Sequence, residues 1–181
     1  MGAYTTKAVT PELWGDLEAL FESPGSPHYC WCMAWRPIDK AVVEAEGRKR
    51  GRKLGLLALV KAARPVGLLM YRDDTPIAWC SIAPRETYRR LSGAEADGPV
   101  WSLACFFIKR PFRGQGLTSK LLERAVEYAR AGGARYVEAY PIRPGTTSYR
   151  FMGYMPTFER AGFKFIKPAG TRRNVMLLKL S

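Results

Sequence analysis

The chain has 181 residues, 47% hydrophobic and 25% charged, which suits a single globular domain over residues 1–181 and excludes extended disorder. No apolar run approaches the roughly 20 residues that a bilayer span needs, and residues 1–7 lack the basic-then-apolar pattern of a secretion signal, so a cytoplasmic protein that does not enter membranes is expected. The formal net charge of +13 favours polyanionic partners, nucleic acid and highly phosphorylated small molecules alike.

Residues 4–9 read as a short first strand. Thr10-Pro11-Glu12 then offers an N-cap, a proline at the first helical position and an early acid, and the helix that follows puts Leu13, Leu17, Leu20 and Phe21 on one face. Ser23-Pro24-Gly25-Ser26-Pro27 ends it. Next comes an aromatic and cysteine-rich stretch, His28 to Arg36. Its Cys30-Trp31-Cys32 resembles half a metal site, but no second pair stands at zinc spacing, so no metal is expected. Cys30, Cys32, Cys80 and Cys105 read as reduced, mostly buried thiols. Residues 41–63 look helical with a break near 47–51. Residues 66–71 and 76–83 are strands separated by Arg72-Asp73-Asp74-Thr75, a hairpin signal.

A loop of small and acidic residues leads into Val100–Ile108, an apolar run that suits a central strand buried on both faces. A turn over 109–115 opens into a helix over 116–131 with Leu117, Leu121, Leu122 and Ala125 on its apolar stripe, ended by Gly132-Gly133. Residues 136–140 form another strand, followed by a loop over 141–153 rich in Pro, Gly and Thr. A short helix over 155–161 and strands over 163–166 and 174–180 complete a mixed α/β chain.

The informative segment joins the central strand to its helix. Arg113-Gly114-Gln115-Gly116-Leu117-Thr118-Ser119 is a tight glycine-containing turn that opens directly into an amphipathic helix, which aims unpaired backbone N–H groups at one point. Gly114 and Gly116 leave room for a ligand to approach the main chain; Arg113 adds a charged donor, and Thr118 or Ser119 a hydroxyl. That chemistry fits a diphosphate. The segment lacks the Lys-Ser/Thr of a P-loop and the third glycine of a dinucleotide-binding fingerprint.

This segment resembles the Gln/Arg-x-x-Gly-x-Gly/Ala signature of the GCN5-related N-acetyltransferases (GNAT), with Thr118 at the final small position. Near the end, Phe158-Glu159-Arg160-Ala161-Gly162-Phe163 is similar to that family's short helix running into Gly-Phe. The order of elements over the whole chain is similar too. The resemblance implies a mixed central sheet of about six to seven strands flanked by about four helices, with acetyl-CoA as cosubstrate. It further implies backbone amides of residues 113–118 on the pyrophosphate, main-chain groups of Phe106 and Ile108 paired with the pantetheine arm, and the thioester where strands 100–108 and 136–140 splay apart.

The implied reaction is direct attack of a small-molecule or peptide amine on the acetyl carbonyl in a ternary complex. The family's usual acid, a tyrosine, corresponds to Phe158, which has no proton to donate. Tyr154 is the preferred replacement, with Tyr149 behind it. Glu138, in the strand beside the thioester, is the first candidate base and Glu86 the second; an acetyl-Cys105 route has no nearby base to support it. The stretch 28–36 is expected either to wall the acceptor pocket or to plug the core. Two other readings stand beside the enzyme: a non-catalytic acyl-CoA sensor, suggested by Phe158, and a nucleic-acid module, disfavoured by the scatter of the basic residues. A homodimer is left open.

Overall fold

The structure, a computed structural model, describes residues 4–89 and 91–180. The two ends of the expected domain, and Arg90, lie outside the described residues. In chain order the elements are β1 (Tyr4–Ala8), α1 (Trp14–Phe21), α2 (Lys40–Lys61), β2 (Leu68–Arg72), β3 (Thr75–Pro84), β4 (Val100–Ile108), α3 (Leu117–Ala131), β5 (Tyr136–Ala139), α4 (Met155–Arg160), β6 (Lys164–Ala169) and β7 (Arg173–Lys179). The seven strands form one sheet in the order β1-β2-β3-β4-β5-β7-β6. Only β4 and β5 run parallel, with α3 as the crossover between them.

The predicted break falls at Gly47 (φ 77°, ψ 163°), which divides α2 into two helical pieces. The predicted hairpin closes more tightly than expected: β2 and β3 take up Arg72 and Thr75, leaving only Asp73 and Asp74 in the turn. Pro76 is tolerated because it stands near the start of β3, beside a register shift between Met70 and Tyr71. The final strands start and stop one to three residues away from the sequence reading, as ladder ends do.

Strand alternation sorts the core into two layers. Leu68, Met70, Ala78, Cys80 and Phe106 pack with Leu117, Leu121, Leu122 and Ala125 of α3 and Phe158 of α4. Their neighbours Leu69, Tyr71, Trp79, Cys105 and Phe107 pack on the opposite face with Leu17, Leu20 and Phe21 of α1 and Leu56 and Val60 of α2. β4 is buried along nearly its whole length because it serves both layers. Among the described residues, no helix is long and apolar enough to cross a membrane.

Candidate functional site

After β4 the chain makes a short helical turn at Arg110–Phe112 and reaches Gly114 (φ 76°) and Gly116 (φ 72°), both in the left-handed region where a side chain is costly. A Cβ on either glycine would meet nothing within 4 Å, so the main chain here borders open space. Gly116 is the N-cap of α3, and no side chain caps the helix. The N–H groups of Gly114, Gln115, Gly116, Leu117 and Thr118 find no acceptor among the described residues. Five unpaired donors at the positive end of a helix form an anion cradle, and a diphosphate fits it. Arg113 is exposed, and its Nε donates to the Ile108 carbonyl at 2.8 Å. The Gln115 side chain turns away: Nε2 donates to the Pro111 carbonyl at 3.2 Å, and Oε1 accepts from the Tyr4 hydroxyl at 3.1 Å.

The cradle opens onto a gap in the sheet. β4 and β5 pair only from Val100 to Leu103 against Tyr136 to Ala139, and β4 then runs on to Ile108 without a β5 partner. On its other edge β4 stays paired with β3, although a register shift leaves Ala104 as an extra residue opposite Ser81 and Ile82. Lys109 N–H donates to the Ile77 carbonyl at 2.9 Å, which fixes the alternation of this antiparallel ladder. The main-chain groups of Phe106 and Ile108 therefore point away from β3, into the gap.

A cleft of about 830 Å³ occupies this region and passes through the sheet at the splay. Arg113, Gly114, Gly116, Thr118 and Ser119 line its α3 side, with Thr157 and Arg160 of α4. Cys30, Cys32, Trp35 and Ser81 line it on the side of α1 and α2, while Arg150, Phe151 and Tyr154 form the far wall. Tyr154 is the N-cap residue of α4 and is 38% exposed. Phe158 is fully buried, its ring 6.2 Å from that of Phe106 and 5.3 Å from that of Phe163.

Glu138 does not take the place expected of a base. It is fully buried, does not line the cleft and is held by donors on every side. Arg85 grips both carboxylate oxygens, with Nε at 3.0 Å from Oε1. Ser102 Oγ and Tyr140 Oη each donate to Oε1 at 2.5 Å, and the Ala94 N–H donates to Oε2 at 3.2 Å. A carboxylate so engaged is a structural node. Glu86 also stands outside the cleft, as does Tyr149, which packs on Trp35 with ring centroids 6.4 Å apart. Cys105 does line the cleft, next to Cys30 and Cys32. Contacts among these thiols, together with burial, push the Cys30 and Cys32 thiols well above their ordinary range, so neither is a thiolate at neutral pH. Among the described residues lining the cleft there is no Asp, Glu or His.

The stretch 28–36 is divided between the core and the wall of the cleft. Trp31 is fully buried against Trp14 and Phe21, whereas Cys30, Cys32, Ala34 and Trp35 face the cleft. Ser81, Arg150 and Phe151 were not legible as cleft residues. Ser81 sits in an otherwise apolar strand, and the loop over 141–153 has no periodicity to assign a direction.

A model of the acetyltransferase (GNAT) family matches residues 12–154. The chain therefore belongs to the GNAT acetyltransferases. Comparison by sequence with curated proteins gives no match. Among solved structures the chain is similar to the PaiA N-acetyltransferase of Thermoplasma acidophilum in complex with coenzyme A, at 16% identity and TM-score 0.58 over 98% of this chain and 99% of that one. It is similar to YncA, a putative acetyltransferase from Salmonella typhimurium with its cofactor acetyl-CoA, at 16% identity and TM-score 0.56 over 99% and 95%. An N-acetyltransferase from Staphylococcus aureus Mu50 superposes with TM-score 0.60 at 9% identity over 98% and 97%. At these identities the neighbours establish the fold, a mixed seven-stranded sheet with four helices.

Proposed function

We propose that this GNAT protein transfers the acetyl group of acetyl-CoA to a primary amine by direct attack in a ternary complex. The observation that carries the reading is the row of unpaired N–H groups from Gly114 to Thr118, opening onto the gap beside Phe106 and Ile108. The cradle would hold the pyrophosphate, with Ser119 and Arg113 at its rim. The inward-pointing main-chain groups of Phe106 and Ile108 would receive the pantetheine amides. Acetyl-CoA, when bound, supplies an activated acyl carbon at the splay.

The amine nitrogen first forms the new C–N bond, the C–S bond breaks when the tetrahedral intermediate collapses, and a main-chain N–H of β4 in the gap would stabilise the oxyanion between the two events. Tyr154 is the proton donor we assign to the departing thiolate, since its side chain borders the cleft and Phe158 has no hydroxyl. The amine's surplus proton leaves through water, because no carboxylate or imidazole among the described residues lines the cleft. Four unpaired thiols suit the reducing cytoplasm, where we place the reaction.

The test is calorimetric titration with acetyl-CoA, alongside the double variant Arg113→Ala/Gly116→Trp, followed by thiol release with an amine panel. Saturable binding to the native protein, lost in the variant, supports the cofactor site; no binding by the native protein overturns the reading. Binding without turnover of any amine would favour the acyl-CoA sensor that Phe158 suggests.

A further inference from the structure

The cleft contains a second polar feature on the side away from the cradle. Arg36 is fully buried behind it, and none of the ion pairs among the described residues includes Arg36. Its terminal nitrogens donate to Thr87 Oγ1 at 3.0 Å, the Val66 carbonyl at 3.0 Å, Tyr88 Oη at 2.9 Å and Ser81 Oγ at 3.3 Å, and its Nε has no partner. A buried guanidinium without a counter-ion is costly and electropositive.

Hydrogen-bond accounting then favours one direction for one proton. Burial pushes the Tyr88 hydroxyl up to about 12, so it keeps its proton at neutral pH. Arg36 can only donate, and Ser81 Oγ and Tyr88 Oη stand 3.0 Å apart, where either hydroxyl can donate to the other. Of the two only Ser81 borders the cleft, so only the arrangement in which Tyr88 donates leaves no hydroxyl hydrogen stranded in the core. In that arrangement Ser81 accepts from both Arg36 and Tyr88, and its own O–H has no acceptor within the described chain. Ser81 borders the cleft. The same side holds Trp35, whose buried Nε1 is also without a partner and whose ring carries the Arg173 guanidinium at 4.5 Å. Arg150 lines the adjoining wall. Donors and cations are therefore gathered where carboxylates are lacking.

We propose that the acceptor is an anionic amine, a small molecule carrying a carboxylate or phosphonate beside its primary amine, whose anion is read by the Ser81 hydroxyl with Arg36 behind it and by Arg150. This rests on the acetyltransferase reading above and names the substrate class of the same cleft. Polyamines are disfavoured, since a second cation would enter an electropositive site with no carboxylate to meet it. The same field also lowers the proton affinity of a bound ammonium, which assists an active site without a base.

The experiment compares matched acceptors on the CoA-loaded protein. β-Alanine, 4-aminobenzoate and aminomethylphosphonate are set against β-alaninamide, 4-aminobenzamide and spermidine, measuring binding by calorimetry and kcat/KM by thiol release with acetyl-CoA. The expected result is a preference of about tenfold or more for β-alanine and 4-aminobenzoate over their amides, and for aminomethylphosphonate over spermidine, on the scale of a charge-assisted hydrogen bond. Carboxylate over phosphonate, or the reverse, identifies the anion. Arg150→Gln and Ser81→Ala should each reduce the acid-to-amide ratio severalfold while the affinity for acetyl-CoA stays at the native value. Acids binding no tighter than their amides, tighter binding of spermidine, or a ratio untouched by both variants overturns the proposal, while intact acetyl-CoA binding leaves the broader reading standing. Failure of that reading appears instead as loss of acetyl-CoA binding.

Discussion

Tyr154 lines the cleft as its position in the chain suggests, whereas Glu138 is withdrawn from it into a buried network. Tyr154 borders the cleft, and replacing it with phenylalanine should lower kcat roughly 10²-fold, the lower end of acid–base contributions, with acetyl-CoA affinity unchanged in calorimetry. Glu138 accepts from Arg85, Ser102, Tyr140 and Ala94, so Glu138→Gln breaks an ion pair whose carboxylate is fully buried and whose arginine is partly exposed. Urea unfolding should show a loss of about 3 kcal/mol, with kcat in the folded fraction near the native value. The sequence could place Glu138 on a strand beside the splay. It could not show that Arg85 and Ser102, 53 and 36 positions away, converge on the same carboxylate. Tyr154, by contrast, was legible because the Gly-Phe signal after it anchors the short helix in register.

The elements themselves were read with more success where local chemistry decides them. Val100–Ile108 and the helix ended by Gly132-Gly133 stand where their patterns place them, since burial on both faces and a glycine stop are local signals. The interlock of α1 and α2 was not legible, because it depends on one side chain crossing between helices. Lys53 Nζ pairs with Glu18 and, at 2.9 Å, with Glu22, and stands 5.1 Å from the Trp31 ring centroid. The hydrogen bond from Lys53 holds the Glu22 carboxyl below its ordinary range. A lowered carboxyl stabilises the fold above its unfolded value, about 4.3, and that contribution disappears as pH falls through the folded value. Lys53→Met should therefore lower Tm by roughly 2 °C at pH 7, in keeping with a surface-exposed pair. The difference from the native protein should narrow as scans are repeated below pH 4.

The excess positive charge, +13 over the chain, acts on every encounter with a polyanion. Acetyl-CoA affinity should fall about tenfold between 0.05 and 0.5 M sodium chloride, as the Debye length shrinks from about 14 Å to about 4 Å. Charge announced a polyanion, but only the turn after β4 gave it an address. The splay of β4 from β5 has a further consequence, one of time. A sheet interior normally shields its amides for as long as the protein stays folded, and exchange with solvent then reports global opening. Here the Phe106 and Ile108 amides face a cleft instead of a neighbouring strand, so in deuterated water they should exchange far sooner than Trp79 or Phe107 beside them. Saturating acetyl-CoA should slow those two amides most, and the size of that slowing measures how much of the sheet is completed by its ligand.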